Sequence, residues 1–177
     1  MTEWSDRVLL GSARETRVTR YPRWGLIVIP LVAILFQVYV PLFFQFLSYL
    51  ELPLLVTVYF ALLRRSPVGG MLVGAAIGLV QDSLSHQPIG MFGIVKTLVG
   101  YFAASIGMRF DVDHFVIRFL LGLFFFLFHQ FLYWALARAL LGQQVGIDVR
   151  QTFFMGLLNA AVAVSLFHIL DKLKERA

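Results

Sequence analysis

The sequence contains no cysteine. Disulfides, thiolate catalysis and cysteine-ligated metals are thereby excluded. Charge is also scarce. Charged residues make up 14% of the chain, against ~25% in soluble domains. A chain of 177 residues that is 59% hydrophobic has too little interior to hide its apolar surface from water. Its mean hydropathy of +0.81 points to lipid as the solvent. The sequence has no HExxH, nucleophile elbow, phosphate-cradling glycine loop or acidic metal cluster. These gaps argue against an enzyme and against a metal or cofactor. Residues 1–23 lack an apolar core with a small-residue cleavage site, so no removable signal peptide is expected.

Phenylalanine is abundant, at 18 copies. It packs between helices and faces acyl chains without a polar atom to satisfy. A net charge of +5 would suggest a nucleic-acid partner in a soluble protein. Here the basic residues are distributed by membrane topology, and no nucleic acid is expected. The expected fold is all-α: a polytopic membrane protein of six transmembrane helices. Residues 1–23 form a basic N-terminal segment with a weak capping box at residues 12–15. Residues 24–170 form the transmembrane domain, and 171–177 a charged tail. The apolar segments are 24–40, 52–63, 67–84, 90–108, 115–136 and 153–170. The second, at twelve residues, falls short of the ~20 needed to cross a bilayer, unless it borrows residues 46–50. With the N-terminus cytoplasmic, that side holds Arg7, Arg14, Arg17, Arg20, Arg23, Arg64, Arg65, Arg109, Arg118, Lys172, Lys174 and Arg176. Only Lys96, Arg138 and Arg150 remain for the other side. This asymmetry places both termini in the cytoplasm.

The third and fourth segments form the most patterned stretch. Gly70, Gly74 and Gly78 recur every four residues and share one helix face. Asp82 follows one turn later. Gly93, Gly100 and Gly107 recur at sevens in the next segment, with Lys96 among them. Small residues in such rows let neighbouring backbones approach, which is how helices associate in lipid. Gly70, Gly74, Gly78, Gly93 and Gly100 are therefore the candidate packing or partner surface. A charge at membrane depth needs a partner or water. Asp82 and Lys96 are expected to compensate each other across the hairpin as a buried charge pair, with a transport role for these polar residues as the alternative. Catalysis by Asp82, His86 and Lys96 finds no supporting motif, and His86 reads as a solvated turn residue. His129 and His168, on different helices without a nearby carboxylate, make a poor metal site. Asn159 is expected to hydrogen-bond to a neighbouring helix.

Residues 74–82, GAAIGLVQD, followed by Ser83-Leu84-Ser85 and Pro88-Ile89-Gly90, resemble the signature of MreD, the rod shape-determining membrane protein. In that family a GxxxGLxxD-type helix end leads through a Leu-Ser-Gly turn into the next helix. Gly74, Gly78, Leu79, Asp82, Leu84, Ser85 and Gly90 match, and the stretch from Lys96 to Tyr101 is similar too. Pro53 and the six-span layout agree along nearly the whole chain. His86 departs from the pattern, where a glycine is common. The resemblance implies a non-enzymatic component of the elongasome, the machinery for lateral peptidoglycan synthesis in the bacterial cytoplasmic membrane. It implies MreC as direct partner, with the class B penicillin-binding protein, RodA and, indirectly, MreB beyond it. It also implies a fold like that of energy-coupling-factor transporter substrate-binding subunits. The alternative function is a small-molecule (vitamin-like) binding subunit of a membrane transporter. Such subunits carry two small residues four apart on the first helix. Here Ala33 has Ile29 and Gln37 at those spacings.

Overall fold

The computed structural model describes residues 24–85, 88–110, 112–143, 146 and 148–173. The N-terminal arginines, the capping box, His86, Lys174 and Arg176 lie outside them. The described residues form six α-helices: α1 (Gly25–Tyr39), α2 (Leu52–Arg64), α3 (Pro67–Leu84), α4 (Met91–Gly107), α5 (Phe115–Leu141) and α6 (Val149–Lys172). Five apolar helical stretches are long enough to cross a membrane. The sixth, Met91–Gly107, is shorter.

Local chemistry sets several boundaries. Ser66 accepts a hydrogen bond from the Gly69 amide, and Pro67 opens α3, where its missing N–H costs nothing. Asp148 accepts from the Gln151 amide and starts α6. Gly142, at φ 63°, ends α5 in the left-handed region, which glycine enters without penalty. Helix α6 continues to Lys172, so the charged tail begins inside the helix rather than after residue 170.

The short second segment is the centre of the molecule. Pro53 to Leu62 are all buried, and α2 contacts each of the other five helices. Its apolar residues run around the whole helix, the pattern of an element enclosed by protein. A 3₁₀ helix, Gln45–Tyr49, precedes it, and the two together give the apolar stretch Gln45–Arg64. Between α1 and α2, Leu42, Phe43, Phe44 and Phe46 are exposed, as expected of an interfacial connection.

Around α2 stand two helical hairpins, α3–α4 and α5–α6. In the second, Gly122 of α5 lies against Ala160 and Ala163 of α6. Close contacts fix the directions. Leu62 meets Gly107, and Tyr59 Oη donates to Asp171 Oδ1 at 2.8 Å. Helices α2, α4 and α6 therefore run one way, and α3 and α5 the other. One end of the bundle carries Asp82, and the opposite end carries Arg118.

Candidate functional site

The α3–α4 hairpin is built on backbone contact. A methyl group placed on Gly70 would strike the Gly100 carbonyl. On Gly74 it would strike the Lys96 carbonyl, and on Gly78 the Phe92 carbonyl. The antiparallel register is thus 70 with 100, 74 with 96, and 78 with 92. The glycine row is spent inside this hairpin. Gly107 belongs to a different seam, against the Leu62 carbonyl of α2.

The same register explains Asp82. One turn beyond Gly78 it arrives where α4 begins. The first N–H groups of a helix have no partner within that helix. The Asp82 carboxylate accepts three hydrogen bonds from them, Gly90 at 3.0 Å, Phe92 at 3.1 Å and Gly93 at 2.9 Å. Gly90 holds φ at 98°, turning the chain so that its amide faces the acid. The helix N-terminus also stabilises negative charge. Asp82, almost fully buried, is thereby compensated without a cation.

The expected Asp82–Lys96 ion pair is not formed. The Asp82 oxygens are occupied by backbone amides, and Lys96 Nζ has no hydrogen-bond partner among the described residues. Lys96 is 0% exposed. Its ammonium lies 4.4 Å from the Phe92 ring centroid. Phe92 stacks in turn on His129, with centroids 6.0 Å apart, and on Tyr133 at 5.4 Å. The two residues are still within each other's electrostatic reach, and Glu51 acts on Lys96 as well.

Glu51 carried no assigned role in the sequence, because an acid beside prolines reads as a loop residue. Asn159 brings it into the site. Its Oδ1 accepts from the Glu51 amide at 2.8 Å, and its Nδ2 donates to the Tyr49 carbonyl at 2.8 Å. Asn159 thus bonds to neighbouring helices, clamping the end of the 3₁₀ helix Gln45–Tyr49 to the start of α2. Glu51 Oε2 and both ring nitrogens of His129 are buried without hydrogen-bond partners among the described residues. His168 is exposed and takes no part. No cluster suited to a metal occurs among the described residues.

The opposite end carries a network that sequence reading missed. Arg118 bonds Asp171 at 2.6 Å and Asp113 at 3.2 Å, and its Nε donates to the Val112 carbonyl at 3.0 Å. With Tyr59 on Asp171, three helices are tied together. Arg118 and Asp171 lie 53 positions apart, and no local pattern joins them.

On the hairpin's outer side is an apolar groove of about 310 Å³, lined by Ala75, Leu79, Gly90, Gly93, Ile94, Thr97 and Leu98. A family model described as rod shape-determining protein MreD matches residues 19–176. No curated protein and no solved structure matches the chain.

Proposed function

The chain belongs to the MreD family of rod shape-determining proteins, and from that membership we propose that it is a non-enzymatic membrane scaffold. It binds MreC and positions lateral peptidoglycan synthesis, with the class B penicillin-binding protein, RodA and MreB as further members of the assembly. The family match along residues 19–176 is the observation that carries this reading. The chain sits in the bacterial cytoplasmic membrane with both termini inside. The asymmetry of Lys and Arg supports that orientation. Arg64, Arg109, Arg118 and Lys172 all belong to the Arg118 end.

The glycine row is enclosed between α3 and α4, so a partner helix needs another surface. The groove along Ala75, Gly93 and Thr97 suits the single membrane helix of MreC. Its small residues permit close approach of a second backbone. The test is capture of MreC in detergent by the wild type and by Ala75→Trp, with vitamin binding as a parallel assay. Loss of capture by a variant that retains its thermal midpoint supports the groove. Retained capture moves the interface elsewhere. A wild type that binds a vitamin and ignores MreC is a transporter subunit instead.

A further inference from the structure

We propose that Lys96, His129 and Glu51 form an enclosed site for a small dipolar guest, which offers an acceptor to the lysine ammonium and a donor to the glutamate. Three observations support this. First, Lys96 and His129 are 0% and 1% exposed, yet the ammonium and both imidazole nitrogens lack hydrogen-bond partners among the described residues. Buried polar groups in folded proteins almost always find partners, and an unpaired buried ammonium is among the costliest exceptions. The Phe92 ring, 4.4 Å from Nζ, stabilises the charge but leaves the other N–H groups of the ammonium unserved.

Second, these groups converge. The Phe92 ring is shared by the Lys96 ammonium, His129 and Tyr133. Asn159 fixes the two peptide groups that flank Leu50, the second of which carries the Glu51 amide, and Glu51 and Lys96 lie within electrostatic reach of each other. Asp82 is held by three backbone amides and makes no hydrogen bond to the ammonium.

Third, the set has a defined chemistry. It combines an ammonium donor, an imidazole that donates at one nitrogen and accepts at the other, and a carboxylate acceptor. Lys96 and Glu51 offset each other, and the Asp82 charge is held by three backbone amides, so the guest is neutral overall, with donor and acceptor at different places. Lys96 and His129, at 0% and 1% exposed, are out of reach of a macromolecule. Two sources share this chemistry: trapped water, and a small zwitterion whose carboxylate meets Lys96 and whose ammonium meets Glu51.

The test uses the full-length protein in detergent. Radiolytic hydroxyl-radical labelling is read at His129 by mass spectrometry, with the equally enclosed Phe60 and Phe125 as references. The thermal midpoint is measured with and without millimolar glycine, the smallest zwitterion. A guest site predicts His129 labelling several-fold above Phe60 and Phe125, falling to their level in Lys96→Met. Glu51→Gln, nearly isosteric, gives a second variant should the first fail to accumulate. A midpoint raised by glycine in the wild type, and in neither variant, identifies a zwitterion through binding linkage. Lys96-dependent labelling without a glycine response identifies water. The proposal is overturned if His129 is as inert as Phe125 and glycine moves nothing. It is equally overturned if labelling and glycine response are unchanged in both variants.

Discussion

Asp82 shows how one residue can satisfy a whole helix end. Three backbone amides converge on its carboxylate, and hydrogen bonds to a charged group are worth ~1.5–3 kcal/mol each in favourable cases. Asp82→Ala strands those amides in a buried place and should cost about 2–4 kcal/mol, since part of the loss is recovered by relaxation. Asp82→Asn keeps one carbonyl acceptor and should fall between the two. Because the cap needs no cation, adding Lys96→Met should not restore stability to Asp82→Asn. Thermal midpoints of the single and double variants check this. Recovery in the double variant would show that the two side chains depend on each other directly. Arg118 is the counterpart at the far end. Arg118→Met leaves Asp171 and Tyr59 with a broken network, and should cost about 1–3 kcal/mol given the partial exposure of its partners.

At the scale of the element, the α3–α4 hairpin depends on hydrogen atoms where other residues carry Cβ. At Gly74 a single methyl group meets the Lys96 carbonyl, which is backbone and cannot swing aside. Overpacking a tight seam costs ~1–3 kcal/mol even where side chains can yield, so Gly74→Ala should cost at least that and Gly74→Leu should abolish accumulation. Gly146 has nothing within 4 Å of its would-be Cβ, and Gly146→Ala should be neutral. The contrast between the two alanine variants, read as folded yield in detergent, separates close packing from a general intolerance of substitution. Helix α2 makes the complementary point. It is the shortest of the six helices and the most enclosed. Its place is set by what surrounds it and by the Asn159 clamp at its entrance. Asn159→Ala should therefore loosen the 3₁₀ segment Gln45–Tyr49 first, raising hydrogen exchange there before the hairpins respond.

At the scale of the whole molecule, the two ends differ in kind. The Arg118 end gathers arginines and an ionic network that joins the buried Arg118 to the partly exposed Asp171 and the exposed Asp113. The Asp82 end gathers a capped helix start and polar groups sealed from solvent. Translocation resists Lys and Arg near membrane helices, so the Arg118 end should be cytoplasmic. Reporter fusions at Ala177 and within the 142–146 loop should report opposite sides. Matching reports would remove the six-span topology and with it the assignment of ends.

Much of this was legible in the residues themselves. Scarce charge and long apolar runs dictate a helical membrane protein, because only hydrogen-bonded helices or closed barrels satisfy their backbones in lipid. The four-residue spacing of Gly70, Gly74 and Gly78 dictates a small-residue face, because 3.6 residues make a turn. The GAAIGLVQD stretch and the proline at 53 carried the family resemblance. The spacing could not say which helix that face meets or in what register, and the register is what turns Asp82 from half of an ion pair into a helix cap. Nor could the second segment, apolar but too short to cross a bilayer alone, announce itself as the core. Partners such as Glu51 with Asn159, 108 positions apart, or Arg118 with Asp171 leave no local trace. Sequence determines which groups need a partner through their cost in lipid. Only the tertiary structure decides which partner each one finds, because that choice depends on the packing of helices that are distant along the chain.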